Sequence, residues 1–312
     1  MPPLRLVFMG TPDLARTVLA ALEDDARFQL VAVVAQPNRP KGRDLQLQPP
    51  PVKVEALARG LPVLQPEKTR EPAFLDQLRS LSPDLIVVAA YGQILPQALL
   101  DIPRHGCLNV HTSLLPRWRG AAPIQWAIAA GDAETGVTVM RMEAGLDTGP
   151  IVSLARTPIT DADTGQTLHD RLAELGGKLL LETIPAYVAG GLVPRTQPAE
   201  GVTYARKITK EDGRLDWTQP ARALWNRLRA FTPWPGAFCL MPAEPKPKLL
   251  KVHAAQPVVA TGEPGTVLAA DKTGLVVACG DGALRLTEVQ PEGGKRMTAE
   301  QFLAGHKIGR LL

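Results

Sequence analysis

LRLVFMGTPDLARTVLAALEDDARFQLVAVVA, residues 4–35, opens and closes on short, nearly continuous apolar runs at 4–9 and 30–35. A parallel strand buried on both faces needs such a run, because helices cover each side of its sheet and leave no polar face. The intervening residues 13–22 are helix-like, so the stretch reads as one β-α-β unit. The same alternation continues outward. Residues 52–58 and 72–81 read as helices, 85–90 (LIVVAA) as a third buried strand, and 107–111, 136–141 and 151–154 as further strands. A helix is expected at 122–130 and a long one from Thr164 to about Tyr187. The prediction is a doubly wound, mostly parallel α/β domain of the Rossmann-like kind.

GGLVPRTQPAEG, residues 190–201, breaks that pattern with clustered glycines and prolines and reads as a linker. One helix, 220–230, and short β-like runs at 237–241, 249–253, 265–270, 274–278 and 283–289 follow. Short strands punctuated by Gly and Pro predict a small antiparallel OB-like β-barrel. The expected division is 1–189, a linker at 190–205, and 206–312.

With 312 residues, 45% of them apolar and 21% charged, the chain has the composition of a globular protein with room for two such domains. No run approaches the length of a membrane span, and residues 1–9 pass directly into a strand without a cationic or cleavable leader. A cytoplasmic protein is expected. Cys107, Cys239 and Cys279 are odd in number and far apart, which suggests neither a disulfide framework nor a zinc site. The net charge is only +4, yet residues 190–312 hold 17 Lys+Arg against 11 Asp+Glu, whereas 1–189 hold 18 against 20. A basic carboxy-terminal part suits a phosphate-rich partner, although a merely basic surface explains it equally.

The first strand ends Met9-Gly10-Thr11-Pro12-Asp13, without the G-x-G-x-x-G that lets a backbone approach a pyrophosphate, and no G-x-x-x-x-G-K-[ST] occurs. Dinucleotide oxidoreductases and P-loop hydrolases are therefore disfavoured. Asn109 and His111 stand two apart on the strand 107–111 and so point to one side of it. Leaving such a polar pair unsatisfied inside an apolar sheet would cost about 1–3 kcal/mol for each group. Taken alone, hydrogen-bonded residues at a strand end explain the pair more economically than catalysis does.

The following segments add a pattern. Residues 113–125, SLLPRWRGAAPIQ, form a proline-bounded loop entering a helix, and 142–150, MEAGLDTGP, place Asp147 in a glycine-rich turn. The order N-x-H-x-S-L-L-P-x-x-R-G followed by G-L-D-T-G resembles the folate-dependent formyltransferase family. Further matches are F-M-G-T-P at 8–12, Ala90-Tyr91-Gly92 with Ile94-Leu95-Pro96, Thr203-Tyr204-Ala205 with Lys207-Ile208, and Arg229-Ala230-Phe231 with 233–236.

This resemblance implies a transferase of one-carbon units that takes the formyl group of 10-formyltetrahydrofolate to an amine. It carries the catalytic residues onto Asn109, His111 and Asp147, with no metal. Formyl transfer creates a tetrahedral centre whose oxygen gains negative charge, and the Asn109 amide can donate to it without changing its own charge. His111, if protonated, is a second donor, and Asp147 supplies the balancing charge and an acceptor for the amine's proton. The folate is expected at Ser113, Leu114, Leu115 and Pro116 and at Ala90, Tyr91 and Gly92. Arg117 and Arg119 either orient the site or face solvent. The remaining histidines, His105, His169, His253 and His306, lack comparable companions and read as structural.

Two features direct the expected acceptor toward initiator methionyl-tRNA and hence translation initiation. Residues 36–46 resemble a loop that enters the acceptor stem in such enzymes, with Arg39, Lys41 and Arg43 as contacts. The sequence departs from the family just after Arg43, where Asp44-Leu45-Gln46 replaces a usual pair of lysines, and at Pro50, where serine is typical. The second feature is the basic carboxy-terminal part, with Arg206, Lys207 and Lys210; Lys246, Lys248 and Lys251 fit a solvated turn and strand edge at least as well. A monomer is implied. The alternatives are transfer to a small amine, such as glycinamide ribonucleotide or an amino sugar nucleotide, and a catalytically silent RNA-binding protein.

Overall fold

The computed structural model describes residues 2–41 and 46–312. Contacts divide the chain into two compact units. One comprises Met1–Pro123, Glu134–Pro158 and His169–Ala205, and the other Ile124–Ala133, Ile159–Leu168 and Arg206–Leu312.

In chain order the elements up to Ala205 are β1 (Leu4–Gly10), α1 (Asp13–Glu23), β2 (Phe28–Val34), β3 (Arg39–Lys41), β4 (Gln46–Gln48), α2 (Pro51–Ala58), β5 (Val63–Leu64), α3 (Pro72–Ser80), β6 (Leu85–Ala89), α4 (Gln97–Leu100), β7 (Cys107–His111), β8 (Arg119–Gly120), α5 (Pro123–Ala130), β9 (Glu134–Arg141), β10 (Ile151–Pro158), α6 (Gly165–Val188) and β11 (Tyr204–Ala205). The main sheet has seven strands in the order β10-β9-β7-β6-β1-β2-β5. The five strands from β7 to β5 run parallel, while β9 and β10 are antiparallel additions at the other edge.

The apolar runs divide their side chains between the two faces. Val7, Met9, Ile86 and Val88 pack with Phe74, Leu75 and Leu78 of α3. The alternate residues Leu6, Phe8, Leu85 and Val87 are equally inaccessible on the opposite face, which is why no polar alternation marks these strands. Sequence order leaves β1 toward β2 and β5 on one side and returns to β6 and β7 on the other. Such a switch point opens a crevice beyond the carboxyl ends of the central strands. Thr11, Ala90 and Thr112 begin the segments that leave β1, β6 and β7 there.

Residues 190–205, read above as a linker, carry pairings of their own. Arg195 and Ile151 exchange two backbone hydrogen bonds of 2.8 Å, and β11 pairs in parallel with β8. Glycines and prolines there reflect an irregular path along the sheet unit rather than a lack of contact with it.

The second unit adds α7 (Ala221–Ala230), β12 (Ala237–Met241), β13 (Lys248–Val258), β14 (Val267–Asp271), β15 (Gly274–Ala278), β16 (Ala283–Pro291), β17 (Met297–Thr298) and α8 (Ala299–Leu303). Its sheet runs β12-β13-β16-β15-β14, with β17 on β16. The final residues join the two ends: Leu312 exchanges hydrogen bonds of 2.8 and 2.9 Å with Leu240, while Leu311 N–H reaches Gly265 O and Val267 N–H reaches Gly309 O. Leu224, Cys239, Leu250, Leu275, Leu284, Leu286 and Phe302 fill the interior. β13 runs five residues beyond its expected end, past two irregularities in its register with β16, where the clean apolar alternation is lost.

Helix α8 sets Phe302 into this core through a reciprocal cap. Thr298 Oγ1 accepts from Gln301 N–H, and Gln301 Oε1 accepts from Thr298 N–H. Replacing Thr298 by Ala is expected to lower the unit's stability by about 1 kcal/mol, read as a lower urea midpoint with unchanged slope. Among the described residues no helix is long and apolar enough to cross a membrane. The three cysteines are buried, and burial pushes the Cys107 and Cys239 thiols up to about 12.

Candidate active site

Strand β7 spans Cys107-Leu108-Asn109-Val110-His111. Leu108 and Val110 are buried apolar residues, while Asn109 and His111 project on the alternate side, Asn109 half-exposed and His111 6% exposed. In register, Asn109 lies between Val88 of β6 and Met140 of β9. Among the described residues nothing hydrogen-bonds the Asn109 amide, which leaves it available to an incoming group. His111 is held from one side: its Nε2 is 2.9 Å from the Trp118 carbonyl. A carbonyl only accepts, so Nε2 carries the hydrogen and Nδ1 is the nitrogen left for chemistry.

That nitrogen faces Asp147. Oδ2 of Asp147 is 3.7 Å from His111 Nδ1 and accepts the Gly120 N–H at 2.7 Å. The separation is slightly long for a direct hydrogen bond and short enough for an ion pair whenever the imidazole carries a second proton, with side-chain exposures of only 6% and 15%. Asp147 holds a left-handed backbone, φ +52°, a conformation that Asp tolerates better than most residues. Two glycines make the turn possible. A Cβ on Gly149 would stand 1.8 Å from the Arg141 carbonyl, and one on Gly120, at φ +118°, would stand 2.7 Å from the Ala205 carbonyl.

The segment leaving β7 is pinned by Thr138, whose hydroxyl donates to Ser113 O at 2.7 Å and accepts from Leu115 N–H at 3.2 Å. Ser113 is fully buried and donates to Arg117 O at 2.6 Å, Leu115 is buried, and Leu114 and Pro116 are half-buried. Beyond β6, Ala90 and Gly92 take positive φ angles of 44° and 92° on either side of buried Tyr91, whose carbonyl accepts from the Thr11 hydroxyl at 2.8 Å. Burial raises the Tyr91 phenol to about 12, and its OH has no partner among the described residues. Lys68, Thr69, Arg70, Gln93, Ile94 and Pro96 line an adjoining groove of about 490 Å³.

The chain matches the family described as formyl transferase over residues 4–184 and the formyl transferase C-terminal domain over 207–307. It is 55% identical over 307 residues to the methionyl-tRNA formyltransferase of Myxococcus xanthus, covering 97% of this chain and 96% of that protein. The chain belongs to the formyl transferase family. Its fold is shared by more distantly similar proteins. The N-formyltransferase of Helicobacter canadensis, solved with folinic acid and dTDP-3-aminofucose, matches at TM-score 0.67 with 16% identity over 94% of this chain and all of that one. HypX from Aquifex aeolicus, in complex with tetrahydrofolic acid, matches at TM-score 0.63 and 19% identity; 99% of this chain aligns with half of that longer one.

The cations singled out in this formyltransferase fall into distinct environments. Arg39 is exposed on β3 and 3.9 Å from Glu67, whereas the Lys41 side chain and the whole of Arg43 lie outside the described residues. Lys207 and Lys210 are exposed. Arg206 is committed: it pairs with Asp212 through both terminal nitrogens and lies 4.8 Å over the Trp126 ring. Arg119, left open between orienting and surface roles, turns inward and gives both Nε and Nη2 to Gln197 Oε1 at 3.1 and 2.7 Å. Thr11, Thr138 and Gln197 brace the segments of the candidate site, which the sequence reading does not anticipate. Thr11 stood inside the quoted F-M-G-T-P, but neither Thr138 nor Gln197 has any sequence signal that would have separated it from its neighbours. Among the described residues no group of three or more His, Cys, Asp or Glu is arranged to hold a metal ion.

Proposed function

We propose that this formyltransferase carries the formyl group of 10-formyltetrahydrofolate, its donor substrate, to the amino group of initiator methionyl-tRNA, with Asn109, His111 and Asp147 as the catalytic residues. The observation that carries the reading is the 3.7 Å approach of the Asp147 carboxylate to the open nitrogen of His111, two residues along β7 from an unengaged amide. The acceptor rests on likeness through both domains to a protein of that specificity.

The residues divide the work. The amine's lone pair forms the new C–N bond, and the formyl oxygen gains charge as the carbon becomes tetrahedral. The Asn109 N–H donates to that oxygen, a contribution typically of about 10²–10³ in rate for a single donor. His111, fixed by Trp118 O, presents Nδ1 between this oxygen and Asp147. Asp147 receives the amine's proton directly or through one water, and the proton passes to the folate nitrogen as its bond to the formyl carbon breaks. Pro116, Leu114 and the Ala90–Gly92 turn provide the apolar slot for the pterin, and Lys68 and Arg70 suit the carboxylates at the other end of a folate.

Arg39, Lys41, Arg43, Lys207 and Lys210 contact the phosphate backbone of the acceptor, whereas Arg206, its terminal nitrogens held by Asp212, adds positive charge near the acceptor rather than a direct contact. The enzyme works in the cytoplasm, as a monomer.

Incubation with 10-formyltetrahydrofolate and methionyl-tRNA should release tetrahydrofolate in step with formylmethionyl-tRNA. An equal or greater rate with an amino sugar nucleotide or glycinamide ribonucleotide would overturn the acceptor assignment. Changing Lys207 and Lys210 together to Ala should raise KM for the tRNA about 3- to 10-fold at moderate salt and leave KM for the folate unchanged. A change in both constants would remove these lysines from the tRNA face.

A further inference from the structure

We infer that Gln197 is a positioning residue for Asp147, acting through a clamp whose other half is Arg119; the inference rests on the catalytic reading of Asp147. Gln197 is 8% exposed, and every polar atom of its amide is used. Its Nε2 donates to the carbonyls of Asp147 and Gly149, both at 2.8 Å. Its Oε1 accepts the two Arg119 hydrogen bonds, so a guanidinium polarises the amide toward the turn it holds.

The next residue along, Gly120, gives its N–H to the Asp147 carboxylate. Asp147 is thus gripped at the backbone by Gln197 and at the side chain by Gly120, the two grips joined through Arg119. The grip has work to do. A non-glycine residue in the left-handed region is strained, aspartate less than most, and its neighbours help to hold it there. Release of the turn toward ordinary backbone angles would swing the carboxylate off the His111 axis. Gln197 is the side chain that spans the turn, bonding the carbonyls on both sides of Thr148 at once.

An amide is the group that fits. Glutamate would set a negative oxygen against two carbonyl oxygens, and leucine would fill the space while leaving both carbonyls and Arg119 unpaired. Gln197→Leu should therefore lower kcat about 10- to 30-fold with KM for the folate unchanged, consistent with the roughly 100-fold penalty that an ångström of misplacement can carry. The change should be much smaller when Asp147 is already Glu, whose longer arm does not rely on the native turn: within about 3-fold in the Asp147→Glu background. Equal losses in the two backgrounds would mean that Gln197 does not act through Asp147.

A second readout does not require turnover. Amide hydrogen exchange at Gly120 reports the bond to the Asp147 carboxylate, and Gln197→Leu should speed it at least 10-fold, whereas Val193→Ser, an exposed change in the same segment, should not. Unchanged exchange at Gly120 would overturn the clamp even if the protein proved inactive as a formyltransferase. Fast exchange together with a fully active Asp147→Asn would instead keep the clamp and sink the catalytic reading.

Discussion

Asp147→Asn is expected to reduce kcat by about 10²–10⁴-fold while leaving the affinity for tRNA within a factor of three, because general acid–base groups contribute on that order. The substitution isolates charge from shape. Asparagine is, with aspartate, among the few residues at ease in the left-handed conformation that position 147 adopts at φ +52°. Its side-chain oxygen can still accept the Gly120 N–H that the carboxylate accepts at 2.7 Å, so the turn keeps its hold. What disappears is the negative charge 3.7 Å from His111 Nδ1 and the acceptor for the amine's proton. Steady-state rates at saturating folate and tRNA, beside a direct tRNA-binding measurement, separate the two effects. A kcat within threefold of the parent would show that Asp147 carries no proton and balances no charge in the rate-limiting step. Loss of tRNA affinity in parallel would point instead to a site that needs the carboxylate for binding.

The difference between Asp147 and its partners also marks what a sequence conveys. Strand β7 and the shared side of Asn109 and His111 were legible from a buried apolar run with a polar residue at every second position, since strand geometry follows from local pattern. The apolar cores of β1, β2 and β6 were legible for the same reason. Asp147 was not, because nothing local tells a turn aspartate at position 147 from any other surface acid; it came from resemblance alone. Gln197 escaped, and Arg119 stayed open between two roles, for a stronger reason. Their partners are 50 and 78 residues away in sequence, and the backbone around Gln197 has no periodicity that would anchor it to a sheet. β8, β11 and the closing contacts of 309–312 share this property: each is a pairing of two or three residues, too short for a propensity signal and specified by the tertiary context.

Asp212→Ala should cost the carboxy-terminal unit about 1.5–3 kcal/mol at neutral pH, the range for hydrogen bonds to a charged group inside a protein. The carboxylate is 5% exposed and accepts from Arg206, from the Thr209 N–H at 2.8 Å and from the Thr209 hydroxyl at 2.9 Å, closing a capping box on the short 3-10 turn at Lys210–Gly213. The Arg206 guanidinium holds this carboxyl far below the ordinary range; burial opposes that shift, and the Thr209 hydrogen bonds reinforce it. Because the folded value lies below the unfolded one, the stabilisation is complete above the unfolded pKa and fades as pH falls toward the folded value. Parent and variant should differ fully in urea midpoint at pH 7 and begin to converge below about pH 4. A difference that persists unchanged into acid would mean that the side chain stabilises by packing rather than by charge. The same substitution frees Arg206, leaving its guanidinium on the face of Trp126 and available to a phosphate. Tighter tRNA binding in a less stable protein would therefore identify Arg206 as a contact held in reserve by Asp212, whereas unchanged binding would confine that pair to a structural role.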